Sequence, residues 1–180
     1  MLIFERIIQR YLRRFAGAEK EKMKEVIIRR IKADEYYLLK EFLYLAIYVP
    51  KGVKMPPKSI VELPELSVYY HDFGTRTGDI CLVAESDNKI VGAVWTRIVN
   101  DFAHIDDDTP SLAIAVAKEC RGKGIGTRLL NEMFAVLKDA GFLSVSLSVQ
   151  KENFAVNMYH RVGFEVVKDN GGELVMRKKL

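Results

Sequence analysis

Cysteine and histidine are scarce in this sequence, which contains two cysteines and three histidines among 180 residues. Cys81 and Cys120 form no CxxC pair, and the histidines show no HxxxH or HxxE spacing. These absences exclude the common zinc motifs, so we expect no metal ion. A chain with so few cysteines is expected to keep its thiols reduced, which predicts a cytoplasmic location.

The sequence also lacks long apolar runs and a strong excess of either charge. Glu5, Arg6 and Arg10 interrupt the first 15 residues, so we expect no signal peptide, and no other stretch is long and apolar enough to predict a membrane span. The formal net charge of +4 is too modest to predict nucleic-acid binding without a localised basic patch. The hydrophobic fraction of 49% is instead typical of a packed domain.

Helical and strand patterns begin near residue 25 and continue to the end of the chain. The predicted elements of the first half are a strand at 25–34, a helix at 35–49 behind an Asp34 cap, a second helix near 59–72 that Pro64 interrupts, and two strands at 79–86 and 89–99 joined by Asp87 and Asn88. The second half begins with a predicted strand at 111–120, a helix at 127–141 closed by Gly141, and a strand at 142–150 with Leu143, Val145, Leu147 and Val149 on one face. A short helix near 154–162 follows, and two strands at 164–167 and 173–180, joined across residues 170–172, complete the chain. The strand, helix and strand from 111 to 150 predict a βαβ unit with parallel strands.

Three glycines at alternate positions, Gly122, Gly124 and Gly126, precede the helix of this unit. Glycines at a helix start let backbone N–H groups approach an anion. A P-loop is excluded because Gly122-Lys123 is followed by Gly124 rather than Ser or Thr, and the dinucleotide fingerprint is excluded because Thr127 stands where its third glycine belongs. A tight turn that binds nothing remains the alternative, although Arg121 and Lys123 add positive charge that such a turn does not need.

The pattern R-x-x-G-x-G, formed by Arg121, Gly124 and Gly126 after a strand and before a helix, resembles the signature of the GNAT superfamily of N-acetyltransferases. A second segment, "ENFAVNMYHRVGF", is similar to the family's N-x-A-x-x-x-Y-x-x-x-G-F segment. Its matching residues are Asn153, Ala155, Tyr159, Gly163 and Phe164. The order of elements over residues 25–180 also resembles the family. The departures are Ala117 and Lys118 where the family often has Pro, and Phe154 in place of another common Pro.

This resemblance implies an α+β fold with a mixed, mostly antiparallel sheet of six or seven strands, a central splayed parallel pair and about four helices. It implies acetyl-CoA as cosubstrate, held by the glycine loop and by the strand before it. The implied donor-binding residues are Ile114, Ala115, Val116, Arg121, Gly122, Lys123, Gly124, Ile125, Gly126, Thr127 and Asn153. The Val116 N–H is the implied oxyanion donor, and Tyr159 is the implied general acid for the departing thiolate.

The acceptor is predicted only as a primary amine on a small molecule or a peptide. An alkylamine with a pKa near 10.4 is almost fully protonated at pH 7, which favours a catalytic base. The candidate bases, which the sequence leaves unranked, are Glu85, His104, Asp106, Asp107, Asp108 and Glu119. A non-catalytic acyl-CoA sensor of the same fold is the alternative function, and retention of Tyr159 favours the enzyme.

The first 24 residues lie outside this resemblance and form their own predicted unit. Apolar residues including Leu2, Ile7 and Leu12 alternate with Arg6 and Arg10 at helical spacing, which predicts a basic amphipathic helix. We expect this helix to pack on the domain or on a second subunit, as in a homodimer. Contact with an anionic surface or a frayed helix are the alternatives.

Overall fold

A mixed seven-stranded sheet organises the protein, whose computed structural model describes residues 25–180. The strands are β1 (Ile27–Arg30), β2 (Ile80–Ser86), β3 (Lys89–Arg97), β4 (Ser111–Val116), β5 (Ser144–Gln150), β6 (Glu165–Asp169) and β7 (Glu173–Lys179), and the α-helices are α1 (Leu38–Ala46), α2 (Pro64–Ser67), α3 (Ile125–Asp139) and α4 (Ala155–Arg161). The spatial order of the strands is β1-β2-β3-β4-β5-β7-β6. The predicted fold class is therefore confirmed over these residues, whereas the predicted helix within 1–24 lies outside them.

Neighbouring strands are antiparallel everywhere except at the centre of the sheet. Asp87 and Asn88 join β2 to β3 with φ values of 53° and 58°, the left-handed conformation that a tight two-residue hairpin uses. β4 and β5 are parallel but pair through one position, Ser111 with Ser146, and then diverge. The predicted splayed pair is thus present, and it leaves an opening in the middle of the sheet.

Helices cover both faces of the sheet, so the sheet separates two hydrophobic cores. On one face α3 buries Leu129, Met133 and Leu137 against strand residues such as Val94 and Leu147. On the other face α1 buries its apolar stripe against a second group of strand residues. The fully or nearly buried members of that second core are Leu39, Phe42, Leu43, Val61, Phe73, Cys81, Val83, Ala93, Trp95 and Ala115.

Several predicted boundaries are corrected by the structure. The strand predicted at 25–34 and the helix predicted at 35–49 are shorter, because a 3-10 turn at Ala33–Glu35 contains Asp34 and the N-cap of α1 is Tyr37. The helix predicted near 59–72 is a 3-10 turn at Lys58–Glu62 followed by the single turn of α2, because Pro64 has no N–H to continue a preceding helix.

Two further corrections concern β4 and β5. The strand predicted to reach residue 120 ends at Val116, and a 3-10 turn occupies Lys118–Cys120. Leu143, predicted on the apolar face of β5, precedes the strand and is 83% exposed. Gly141 closes α3 in the left-handed conformation as predicted, with φ of +88°.

Candidate active site

A cavity of about 420 Å³ lies where β4 and β5 diverge. Its walls combine the two central strands with α1, α2, α4 and the start of β7, so residues distant in sequence meet there. The lining residues are Leu43, Ala46, Ile47, Tyr48, Leu66, Tyr69, Phe102, Leu112, Ala113, Ile114, Ser148, Val149, Gln150, Asn153, Tyr159 and Glu173. The cavity therefore brings the predicted residues Ile114, Asn153 and Tyr159 together.

The edge of β4 offers unpaired backbone groups to this opening. The Ala117 N–H donates to the Val91 carbonyl of β3 at 2.8 Å, and antiparallel strands alternate the direction of their backbone groups. The N–H groups of Ile114 and Val116 therefore point towards β5, where the strands have separated, as their predicted roles require. The predicted donor-binding role of Ala115 is corrected, because its backbone pairs with Ala93 of β3 and its side chain is buried in the core.

The glycine loop adopts a conformation that its glycines make possible. Gly122 and Gly124 have φ values of +73° and +79°, and an added Cβ at either position would meet no atom within 4 Å. Gly124 is the N-cap of α3, and no acidic residue occupies the first turn. The N–H groups of Ile125, Gly126 and Thr127 are thus available at the positive end of a 15-residue helix, which favours an anion.

The Arg121 side chain is directed towards the protein. Its Nε donates to the Val116 carbonyl at 2.8 Å, and a terminal nitrogen donates to the Leu45 carbonyl of α1 at 3.2 Å. Arg121 thus ties the loop to the end of β4 and to α1, and its exposed guanidinium keeps the positive charge predicted at the rim. Lys123 is exposed, as a rim cation would be.

Two residues of the second motif contact the cavity from the α4 side. The Asn153 Oδ1 accepts a hydrogen bond from the Ala155 N–H at 2.9 Å, so this side chain caps the start of α4 as predicted. Tyr159 is 9% exposed, and its ring meets the edge of Phe164 with centroids 5.8 Å apart. Burial raises the pKa of Tyr159 to about 12, because the phenolate would be poorly solvated.

The six predicted candidates for the catalytic base are absent from the lining of the cavity. Glu85 forms an ion pair with Arg29 at 2.7 Å, and Asp107 is 98% exposed beside His104. Asp106 accepts a hydrogen bond from the Asp108 N–H, and the side chains of Asp108 and Glu119 are exposed. The structure therefore corrects this part of the prediction.

The carboxylate that does line the cavity is Glu173, which sequence reasoning missed. Glu173 begins β7 opposite Gln150 of β5, and the Ser148 hydroxyl donates a hydrogen bond to its Oε1. The one indication in the sequence was indirect: Glu173 directly follows the predicted turn at residues 170–172, and the ends of turns often contribute residues to a site. Only the insertion of β7 beside β5 brings it to the cavity.

A buried ion pair supports the side of the cavity formed by α2 and the segment after it. The Arg97 and Asp79 side chains are each 1% exposed, and two nitrogens of Arg97 lie 2.7 and 2.8 Å from the two Asp79 oxygens. Arg97 also donates to the carbonyls of Val68, His71 and Asp72. Sequence reasoning missed this pair, which fixes the segment around Tyr69.

Electrostatics within the pair keep Asp79 ionised. Burial alone would raise the pKa of Asp79, but hydrogen bonds from Arg97 and from the N–H groups of Arg76 and Gly74 outweigh it and hold the pKa below its ordinary value. The pair is thus a fully charged, fully hydrogen-bonded unit.

Tyr69 is held by this segment and lines the cavity. Its carbonyl accepts a hydrogen bond from the Trp95 Nε1 at 3.1 Å. Burial, together with the nearby carboxylates of Asp101 and Glu173, raises the pKa of the Tyr69 hydroxyl well above its usual range. The Oδ1 of Asp101 accepts hydrogen bonds from Ser111 and from the Ala103 N–H, whereas its buried Oδ2 accepts none from residues 25–180.

Residues 25–180 contain no cluster of three or more His, Cys, Asp and Glu side chains with the geometry to hold a metal ion. Within the same range, no helix has both the length and the apolar character needed to cross a bilayer.

Known proteins are similar to this chain in sequence. The chain is 29% identical over 162 residues to an N-alpha-acetyltransferase of Saccharolobus solfataricus, a match that covers 84% of this chain and 87% of that protein. It is 33% identical over 84 residues to a probable N-acetyltransferase camello of Xenopus laevis. That match covers 46% of this chain and 37% of the relative, so the chain corresponds to little more than a third of the relative's length.

Solved structures share the fold. The PaiA N-acetyltransferase from Thermoplasma acidophilum, solved in complex with coenzyme A, superposes with a TM-score of 0.61 at 22% identity, covering 87% of this chain and 99% of that one. The family model of the acetyltransferase (GNAT) family matches residues 51–164, which is more than half of the chain. This range contains the opening between β4 and β5, the glycine loop and Tyr159. The chain belongs to the acetyltransferase (GNAT) family.

Proposed function

We propose that this protein transfers the acetyl group of acetyl-CoA to a primary amine by direct attack of the amine on the thioester. The observation that carries the proposal is the opening between β4 and β5, whose cavity is lined by Ile114, Asn153 and Tyr159. Family membership and the solved coenzyme A complex of a protein with the same fold support acetyl-CoA as the donor.

The donor half binds through backbone groups. The N–H groups of the loop from Gly122 to Thr127 hold the pyrophosphate at the positive end of α3. The exposed edge of β4 pairs with the pantetheine amides as a peptide pairs with the edge of a sheet, through Ile114 and Val116. The Asn153 side chain contacts the same arm, since it lines the cavity at the start of α4.

Two groups act on the reacting atoms. The Val116 N–H stabilises the negative charge that develops on the thioester oxygen. Tyr159 donates its hydroxyl proton to the departing thiolate. With a Tyr159 pKa of about 12 and a thiol pKa near 8.5, this transfer is uphill by about 5 kcal/mol in water, so it requires a thiolate that is also poorly solvated. The buried position of the Tyr159 side chain, which is 9% exposed, favours that environment.

The two classes of amine differ in how readily they react at pH 7. Deprotonating an α-amino group with a pKa near 7.8 costs about 1 kcal/mol, whereas an alkylamine with a pKa near 10.4 costs about 4.6 kcal/mol. The similarity to an N-alpha-acetyltransferase favours a peptide amino terminus as the first acceptor to test. A cytoplasmic location, a homodimer and the basic helix within residues 1–24 stay predictions.

Thermal unfolding with candidate ligands, followed by an amine panel, tests the proposal. Free ligand at 100 times its Kd adds about 2.7 kcal/mol of stability, so CoA is expected to raise the Tm whereas ATP and NAD are not. A panel of a tripeptide amide with a free amino terminus and n-butylamine is then incubated with acetyl-CoA, and release of the CoA thiol is measured. Stabilisation by ATP but not CoA contradicts the donor assignment. CoA binding without transfer to either amine class supports the sensor instead.

A further inference from the structure

Glu173 provides a single negative charge in the cavity that Tyr159 also lines. Among the sixteen described residues that line the cavity, Glu173 is the one with a carboxylate, and the others are apolar or uncharged polar residues. The cavity wall therefore contributes an uncompensated carboxylate. Such a carboxylate in a largely apolar site favours a cationic ligand.

The orientation of Glu173 is fixed by its neighbours. Its backbone pairs with Gln150 across the β5–β7 ladder, and the Ser148 hydroxyl donates to Oε1. A hydroxyl donor holds the carboxylate without neutralising it. The carboxylate that lines the cavity thus keeps further lone pairs for a ligand.

A second carboxylate, that of Asp101, lies beside a residue that lines the cavity. The Tyr69 hydroxyl interacts with the Asp101 side chain. The raised pKa of Tyr69, caused by burial and by the carboxylates of Asp101 and Glu173, is consistent with an environment that disfavours further negative charge.

We propose that Glu173 binds the ammonium group of the acceptor and receives its proton, with Ser148 positioning the carboxylate. This inference rests on the proposed acetyl transfer and adds to it the residue that binds and deprotonates the acceptor amine. The cavity joins Glu173 to Tyr159 and to the opening at Ile114, so the amine would meet the thioester between the two groups.

The proposed reaction consumes one ammonium ion and one thioester. The ammonium group loses one proton to the Glu173 carboxylate, and the freed nitrogen lone pair forms the C–N bond with the thioester carbonyl carbon. The C–S bond then breaks, and the departing sulfur takes the Tyr159 hydroxyl proton. The nitrogen releases its second proton through solvent, which restores Tyr159, while Glu173 returns its proton to bulk water. The products are one amide, one CoA thiol and one released proton.

The first experiment measures binding without requiring turnover. Saturation-transfer NMR with the CoA-saturated protein compares n-butylammonium with n-butanol at constant ionic strength. Wild type is expected to bind the ammonium ion in preference to the alcohol, and Glu173→Gln is expected to weaken ammonium binding about 10-fold or more, because a charge-assisted hydrogen bond is lost. Glu165→Gln, which removes an exposed carboxylate on β6, is the matched control and should bind like wild type.

The second experiment measures the pH dependence of kcat/KM with the amine that turns over in the panel. Loss of the base is expected to lower kcat/KM about 100-fold at pH 7. The Glu173→Gln variant should then recover with rising pH, because only the amine already neutral in solution reacts. Glu173→Asp, which keeps the carboxylate, should restore part of the rate. Melting curves of each variant report whether the fold is retained.

The outcomes separate this inference from the proposed function. Equal binding of ammonium and alcohol by wild type, or equal ammonium binding by wild type and folded Glu173→Gln, overturns the inference. An unchanged pH profile in Glu173→Gln overturns the proton-accepting role. Ammonium binding that depends on Glu173, without any acetyl transfer, leaves the ammonium site standing and overturns the transferase.

Discussion

The donor half and the acceptor half of the cavity are built in different ways. The proposed donor half comes from one continuous segment, from β4 through the glycine loop to the first turn of α3, and its proposed contacts are mainly backbone N–H groups. The acceptor half is assembled from side chains of α1, α2, β5 and β7. Because backbone groups depend on loop conformation and side chains depend on residue type, the two halves should fail under different substitutions.

Different interactions hold the two halves in place. Gly122 and Gly124 keep the donor loop in a left-handed conformation with open space around it. The acceptor side depends on the buried Arg97–Asp79 pair, which holds the carbonyls of Val68, His71 and Asp72 from a distance of more than 20 residues in sequence. The acceptor half therefore depends more than the donor half on contacts between residues that are distant in sequence.

The largest effect is expected from Arg97→Met. This change leaves the Asp79 carboxylate buried at 1% exposure without its cation and deprives three carbonyls of their donors, which should lower the free energy of unfolding by about 3–5 kcal/mol. Urea unfolding measures the loss. The folded fraction should bind CoA with an affinity within about 2-fold of wild type, because the donor half is separate.

The double variant Arg97→Met/Asp79→Leu is the control for this prediction. Replacing both members of a buried pair with apolar residues removes the uncompensated charge, so most of the stability should return. A single variant that loses less than about 1 kcal/mol would show that the pair does not support the acceptor wall.

The next largest effect is expected from Tyr159→Phe. Loss of the general acid should lower kcat about 100-fold and leave the affinity for acetyl-CoA within about 2-fold of wild type. An acid acts in its protonated form, and with a pKa of about 12 Tyr159 loses its proton only as the pH rises towards that value. Wild-type kcat should therefore show no decline from this group up to pH 10, as a stopped-time CoA release assay can measure.

An unchanged kcat in Tyr159→Phe would contradict the acid role. A decline in wild-type kcat centred well below pH 10, absent from the variant, would contradict the raised pKa. Melting curves should be nearly the same for both proteins, since the ring that packs against Phe164 is retained.

A smaller effect is expected from Gly124→Ala. The left-handed φ of +79° strains any residue with a Cβ by about 1–2 kcal/mol, and the added methyl group occupies the space that the pyrophosphate would approach. Acetyl-CoA affinity, measured by calorimetry, should fall about 10-fold, which corresponds to about 1.4 kcal/mol.

Gly141→Ala is the matched control for the glycine loop. Gly141 has φ of +88° at the other end of α3, and its added Cβ would also meet no atom within 4 Å. This variant should lose comparable stability and bind acetyl-CoA like wild type. Equal loss of affinity in both variants would mean that strain in α3, not contact at the loop, affects the donor.

The conformation of the glycine loop was largely predictable from the sequence, and the reason is its locality. The pattern around Arg121, Gly124 and Gly126 lies within a few residues of the strand and helix that position it, so spacing alone indicates an anion site. Even here, two details needed the structure. The alternation of the ladder turns Ala115 away from the opening, and Arg121 is committed to the carbonyls of Val116 and Leu45.

The acceptor half was not predictable because its contacts depend on topology. Glu173 reaches the cavity only because β7 inserts between β5 and β6, and Arg97 reaches Asp79 only because β2 and β3 pair in one register. The six acidic or histidine candidates, in contrast, follow patterns that suit a base but lie at ion pairs or on exposed loops. Residue type alone could not distinguish a catalytic base from a surface residue, because it does not give the position of the side chain in the fold.

Steady-state kinetics with both substrates varied tests the division into two halves most directly. Acetyl-CoA and the accepted amine are titrated against wild type, Gly124→Ala and Glu173→Gln under identical conditions. Gly124→Ala is expected to raise the KM for acetyl-CoA and leave the KM for the amine unchanged. Glu173→Gln is expected to lower kcat and raise the KM for the amine, and to leave the KM for acetyl-CoA unchanged. If both variants change the parameters of both substrates to the same extent, the donor and acceptor halves are not separate and the account is contradicted.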